Sequence, residues 1–359
     1  MIFGTGSTAE KLIENLNDNI NVICYLDNNK LRWGKYLNER IVLSPNEINK
    51  IKYDYIVIAS QFCNDIFTQL ILNGVCEHKI FEYLNFLNDR NNPFKYKIKI
   101  FENNKFEYKT LITGISYFVS GINGDKLKYK GMNFAFDSQD LYYDYNIVKY
   151  ILEKKENQIK NVIIGLSYYS FQYDLSLSSM KDNVNLYYQI LEKNHNLKFK
   201  RNYDNRIIIN RHIAECILNK SNNKQYMLKN KFIPLTEQFV NLSELGKKQA
   251  YLDCNKNYPK TVIENKKIFC KYLELLVKYN VEPIVVICPT SKYYYKNFSK
   301  RIKYEFFTIM AEMKKNYNFQ YIDYFESELF DDSLFYDVSH LTFEGGMKFT
   351  EILNKEIKW

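Results

Sequence analysis

The chain has 359 residues, enough for two separately cored domains, and its 46% hydrophobic and 25% charged content is that of an ordinary globular protein. Its formal charge of +9 comes from dispersed lysines without a nucleic-acid motif, so nucleic acid is not an expected partner. Seven scattered cysteines with no C-x-x-C pair argue against a disulfide framework and a zinc site, and fit a reducing cytoplasm. No basic stretch with an apolar run behind it opens the chain, so no signal peptide is expected. No run approaches the roughly eighteen apolar residues of a spanning helix.

In chain order, Met1–Phe3 reads as a clipped strand, followed by Gly4-Thr5-Gly6-Ser7-Thr8-Ala9 and a helix through Leu16. A second strand runs from Asn21 to Leu26 and ends at Asp27, and a third has the core Tyr55–Ala59. Strand, Gly-x-Gly-x-x-Ala, helix, strand and acidic residue form the dinucleotide-binding pattern. Gly4 and Gly6 allow a tight turn, and Ser7 opens a helix whose unpaired amides can face a phosphate. Asp27, about twenty residues past the glycines, can accept a ribose hydroxyl. The expected ligand is a nucleotide or nucleotide-sugar. The competing reading is a helix start that merely needs glycines.

Residues 89–106, with Asn91-Asn92-Pro93 and a lysine-rich run, read as a linker. Beyond it, Leu111–Thr113, Val162–Ile164, Pro283–Cys288 and Phe319–Ile322 are apolar runs separated by helical segments, which predicts a buried parallel sheet. Residues 175–260 are polar, rich in Lys and Asn and weakly periodic, and read as an inserted helical cap that helps to form a substrate site.

Two short blocks hold the chemistry. Gly114-Ile115-Ser116 follows the run Thr110–Thr113, which puts Ser116 at a strand's carboxyl end in the turn before a helix. Asp337-Val338-Ser339-His340 stands just ahead of an amphipathic segment, 343–357. An Asp three residues before a His lets one loop supply a general base and the carboxylate that orients it. A serine hydroxyl is a poor nucleophile until a neighbouring imidazole takes its proton. Ser, Asp and His in this order therefore point to acyl transfer at a serine. The bland alternatives are Ser116 as a helix N-cap, His340 as a structural imidazole and Asp337 as solvated surface.

From residue 105 to 359 these blocks resemble the SGNH (GDSL-like) hydrolases and acyltransferases, most of all a divergent branch from bacterial surface-polysaccharide gene clusters. Gly114-Ile115-Ser116 matches the opening block, and Asp337 with His340 matches the closing Asp-x-x-His. The second block resembles Asn133–Gln139, and the third resembles Gly165-Leu166-Ser167. The resemblance implies Ser116 as nucleophile, His340 as base and Asp337 as its orienting acid. Its oxyanion donors would be the Ser116 amide, the turn at Ser138 and Gln139, and the Ser167 side chain. Ser167 stands where the family usually has Asn, a departure that weakens one donor. Residues 1–85 resemble the Rossmann-like modules attached to bacterial glycan-modifying enzymes, with similar runs to Tyr25–Asn29 and Trp33-Gly34.

The implied fold is α/β. An N-terminal Rossmann-like domain over 1–88 would precede an SGNH-hydrolase-like three-layer α/β/α domain over 107–359 with a helical insertion. The implied activity is that of a serine esterase or O-acyltransferase acting on an acylated sugar or nucleotide-sugar in surface-glycan (capsule-type) biosynthesis. Such acyl chemistry requires no cofactor and no metal. The substrate partner is a carbohydrate or nucleotide-sugar; homo-oligomers and a peripheral place at the inner membrane stay open. The alternative is a non-catalytic nucleotide-sugar binding or assembly protein with a degenerate triad.

Overall fold

Short, wholly apolar runs become strands because a parallel sheet is covered on both faces. In the computed structural model, which describes residues 1–154, 158–191, 195–196, 203–219, 233–238 and 240–359, these runs build two sheets. The first is made by β1 (Ile2–Phe3), β2 (Tyr25–Leu26), β3 (Tyr36–Leu37), β4 (Arg40–Leu43), β5 (Ile56–Ile58) and β6 (Ile80–Glu82), in the order β3-β4-β2-β1-β5-β6. Only β3 runs antiparallel to its neighbour. Alternate residues feed opposite faces, as the strand period of two requires. Ile2, Tyr25, Val57 and Phe81 enter one core cluster, while Phe3, Leu26, Ile58 and Ile80 enter the other.

The second sheet is made by β7 (Thr110–Gly114), β8 (Gly131–Asn133), β9 (Asn161–Leu166), β10 (Glu282–Ile287) and β11 (Gln320–Asp323). Its order is β11-β10-β9-β7-β8, and every pairing is parallel. Each sheet anchors its own compact unit, so the protein is α/β in both halves. Among the described residues no helix is long and apolar enough to cross a membrane.

Two expectations about organisation change. The span 89–106 is mostly helical, because Pro93 starts the helix Pro93–Asn103 instead of breaking the chain. A proline suits the first helical turn, whose amide lacks an internal partner anyway, and Asn92 Oδ1 accepts the Lys95 amide at 2.9 Å. Phe94, Ile98 and Phe101 then fall on one buried face. The passage from first to second unit lies at residues 96–97, inside this helix.

The span 175–260 is likewise not one inserted cap. Within it, Ser179–Gln189 and the helix Tyr203–Ile217 belong to the first unit. Ile213, Ala214 and Ile217 join the core cluster of Ala9, Leu12 and Phe86. The same helix buries Arg206 against Glu82 at 2.7 Å and Asn210 against the Glu82 amide at 2.9 Å. A buried face that mixes Arg, Asn and Ile hides the apolar period. Residues 192–194, 197–202, 220–232 and 239 of that span lie outside the described residues.

Close packing against the serine-bearing helix supplies a stability test. A Cβ built on Gly346 would lie 1.9 Å from the Ser120 carbonyl oxygen. Gly346→Ala must push Phe343–Glu356 away from Tyr117–Gly121, and overpacking of this kind costs roughly 1–3 kcal/mol. We expect a lower urea midpoint at unchanged slope; an unmoved midpoint would show that the two helices are not in contact.

Candidate active site

The second sheet delivers the serine. Gly114 ends β7 with φ of +144°, a conformation that favours glycine, and a Cβ there would meet the Gly165 carbonyl oxygen at 2.8 Å. The chain then turns at once into the helix Tyr117–Gly121, with Ser116 in the N-cap position. Its side chain makes no capping hydrogen bond. The hydroxyl is directed instead to His340, whose Nε2 lies 2.8 Å from Ser116 Oγ across 224 residues of sequence.

His340 is held from several sides. Its Nδ1 lies 2.9 Å from each Asp337 carboxylate oxygen. Asp337 Oδ1 also accepts the amides of Ser339 at 2.8 Å and His340 at 2.9 Å, so the loop closes on its own acid. The imidazole stacks on Tyr117 (4.8 Å between centroids) and on Tyr336 (5.5 Å). Ser120 Oγ donates to the Leu341 carbonyl at 2.8 Å, and Ser291 Oγ donates to that of Val338 at 2.6 Å. With Nδ1–H given to the carboxylate, Nε2 is the acceptor facing Ser116; this tautomer follows from the hydrogen-bond network.

Burial alone would raise the Asp337 pKa. The hydrogen bond and charge of His340, joined by the two loop amides, outweigh that effect and hold it below the usual carboxylate value. Stability from this depressed pKa is present above the unfolded value and is lost as pH falls through the folded one. The stability difference between wild type and Asp337→Asn should therefore shrink as pH drops below about 3.9, the ordinary Asp value. Thermal melts from pH 6 downward read this; a difference constant with pH would contradict the depressed pKa.

Strand register settles the neighbours. Gly114 pairs with Gly165 of β9, and the Phe136 amide donates to the Gly114 carbonyl at 3.3 Å. Ser138, Ser116 and Ser167 each follow by two residues, so all three stand at the carboxyl edge of adjacent strand paths, where ligands gather in open α/β sheets. Ser138 has φ of +61°, and among the described residues neither its amide nor that of Ser116 makes a backbone hydrogen bond.

Gln139 departs from expectation: its amide donates to the Phe136 carbonyl at 3.2 Å and is already used. Its buried side chain donates to the Phe134 carbonyl at 3.0 Å and to Asp144 at 2.6 Å, which makes it a support for the turn. Ser167 is buried, gives its amide to Ser170 Oγ at 2.8 Å and accepts the Tyr169 amide weakly at 3.4 Å. Its hydroxyl proton is what it retains for a ligand.

Sequence reasoning missed several residues that build this site. Asp144 is buried beside it and accepts from Gln139 at 2.6 Å, and burial pushes its pKa well up. Tyr117 and Tyr336 stack on the imidazole, and a hydroxyl chain runs from Tyr117 to Tyr294 at 3.2 Å and on to Asp253 at 2.9 Å. The expectation of no metal rested on unclustered ligands in the sequence. The described residues nevertheless bring Asp140, Asp174 and His195 together, with ligand atoms within 4.8 Å of one another.

In the first unit the glycine turn and Asp27 do meet. Gly4 has φ of +111° and donates to the Leu26 carbonyl at 2.8 Å, and Gly6 is the N-cap of Ser7–Ile13. Asp27 is not open, however: it accepts from the Thr5 hydroxyl and from the Asn29 amide, with Arg32 at 3.7 Å. A ribose would have to compete with Thr5 for that carboxylate. The cavity beside Glu82 and Arg206, about 40 Å³, holds only a few waters.

Residues 1–81 match the family described as C2185-like, N-terminal. Comparison with curated proteins gives no match.

Proposed function

We propose that the second unit is an SGNH-type serine esterase or O-acyltransferase whose substrate is an acylated sugar or nucleotide-sugar of bacterial surface-glycan synthesis. The observation that supports this most is the Ser116–His340–Asp337 relay, with contacts of 2.8 and 2.9 Å between groups from opposite ends of the unit. Ser116 Oγ attacks the acyl carbonyl as its proton passes to His340 Nε2. The tetrahedral oxyanion takes hydrogen bonds from the amides of Ser116 and Ser138 and from the Ser167 hydroxyl. His340 returns the proton to the leaving alcohol, which leaves an acyl-serine. Water or a sugar hydroxyl then attacks the acyl-serine, with His340 again as base. Asp337 keeps the proton on Nδ1 and stabilises the imidazolium.

The test is turnover of aryl acetates by Ser116→Ala and His340→Ala. Either change should lower kcat by about 10³-fold or more, and the pair should add little, because such residues act as a unit. Ser116→Ala should stay folded, since its hydroxyl caps nothing. Activity unchanged in Ser116→Ala ends the serine-nucleophile reading. An added sugar acceptor that speeds acyl release identifies a transferase.

A second reading has one specific observation behind it, the Ser for Asn exchange at residue 167. On this reading the chain is a nucleotide-sugar binding or assembly protein with a degenerate triad. A folded wild type inert to aryl esters and to fluorophosphonates would favour it. For the first unit we propose a nucleotide or nucleotide-sugar at Gly4, Gly6 and Ser7. Calorimetric titration with nucleoside diphosphates and UDP-sugars should give saturable heat; none from any nucleotide leaves the turn purely structural.

A further inference from the structure

Directly behind the candidate oxyanion turn lies a buried cluster that the acyl mechanism does not use. Asp140 follows Ser138 and Gln139 and caps the helix Leu141–Glu153, accepting the Tyr143 amide at 3.1 Å. Its second oxygen accepts the Leu175 amide at 2.7 Å, which ties this turn to the segment after β9. Asp174 in that segment accepts the Ser176 amide at 2.8 Å. The hydroxyl of Tyr173, next to it, lies 3.3 Å from Ser178 Oγ in the same segment.

His195 stands among these acids with only 6% of its side chain exposed. Its Nδ1 is 3.4 Å from Asp174 and 4.0 Å from Asp140, its Nε2 is 3.2 Å from Glu264, and its ring stacks on Tyr142 at 4.0 Å. Carboxylates near both nitrogens favour a proton on each, because a neutral ring would turn a lone pair toward an anion.

We infer that His195, as an imidazolium, is a positioning residue that locks the Ser138 turn to the 173–178 segment and so holds the oxyanion side of the site in place. The inference rests on the serine-hydrolase reading. Among the described residues, the groups facing His195 include Asp140, Tyr142 and Tyr143 at the start of Leu141–Glu153, Asp174 after β9, and Glu264 of the helix Pro259–Lys278. Burial would lower the His195 pKa, but Asp174, Asp140 and Glu264 outweigh it and the value is raised. Burial pushes Asp140 up to about 6 against the pull of His195. Both shifts have one sign: the folded cluster holds more protons than the unfolded chain. The imidazolium, and with it the lock, is lost as pH rises through the raised His195 value, above the ordinary imidazole pKa of about 6.5.

The experiment is the pH profile of aryl acetate turnover for wild type, His195→Gln and Glu264→Gln, with the metal content of each purified protein. Wild-type kcat should fall on the alkaline side. His195→Gln should lower kcat by roughly 10- to 100-fold with little change in KM, since an ångström of misplacement can cost about 10²-fold, and should lack that alkaline fall. Glu264→Gln should move the fall to lower pH, because one carboxylate favouring the imidazolium is gone. A His195→Gln enzyme with the wild-type kcat and profile overturns the inference. If that variant does not fold, an unmoved limb in Glu264→Gln overturns it. A stoichiometric divalent metal lost on changing His195 also overturns it, because the cluster would then hold a cation in place of a proton. A wild type inert to aryl esters and fluorophosphonates sinks the serine reading and this role together; an active wild type with an unmoved limb sinks this role alone.

Discussion

The close approach of β7 to β9 is the constraint on which the rest of the site depends. Gly114 and Gly165 face one another, and a Cβ on Gly165 would lie 2.5 Å from the Phe118 ring. With both side chains absent, Phe118 folds back over the two strands and the helix Tyr117–Gly121 can start immediately after β7. That tight turn puts Ser116 at the sheet edge with its hydroxyl outward. A side chain set by backbone contacts is held more stiffly than one on a free loop, and stiffness is what the proposed reaction geometry requires. The turn after β8 extends the same logic, because the Phe136 amide bonds the Gly114 carbonyl while the buried Asp144 carboxylate receives the Gln139 side chain. The turn that follows β8 is thereby keyed to the strand that bears the serine.

The histidine is located independently, and from the other side. Its loop is fastened to the serine helix through Ser120 and to the segment after β10 through Ser291. Gly345 and Gly346 bring the following helix so close that a Cβ on either would collide with a backbone oxygen. The two aromatic rings fix the imidazole plane, and the Asp337 carboxylate fixes its rotation. An Asp–His pair in one loop could form anywhere on a surface. Its meeting with Ser116 Oγ depends on these remote anchors, which is why the contact is informative about chemistry.

How much of this was legible in the sequence varied with the physics. Fully buried strands such as Asn161–Leu166 announce themselves as apolar runs, and the Asp-x-x-His spacing is local. Register is also transparent once strands are parallel, since Ser138, Ser116 and Ser167 fall in line by simple counting. What failed to show was anything set by buried polar groups. The helix Tyr203–Ile217 hides its period because Arg206 and Asn210 share the buried face with Ile213, and their satisfaction by Glu82 is a tertiary fact. Pro93 carries two opposite meanings, helix breaker and first-turn residue, and only the Asn92 cap and the apolar face behind it select the second. His195, distant in sequence from both aspartates, had no signal at all.

If the protein is the serine hydrolase we propose, Ser in place of Asn at residue 167 redistributes the task of holding the oxyanion. An Asn side chain at residue 167 would present two amide protons of fixed direction, whereas the Ser167 hydroxyl has one proton and rotates. Its oxygen is drawn toward the Tyr169 amide and its own amide is committed to Ser170. On the proposed serine-hydrolase reading, the burden of stabilising developing negative charge therefore shifts to the amides of Ser116 and Ser138. Loss of one donor at such a site can cost about 10²–10³ in rate. The remaining donors must compensate by being well held, and Ser138 lies in a left-handed turn that is intrinsically unfavourable for a residue with a Cβ. Such a turn persists only where its surroundings over-determine it. Phe136 on Gly114, Gln139 on Asp144 and Asp140 on Leu175 supply that surplus of constraint. On that reading, the buried polar cluster behind the turn is what keeps these donors in place.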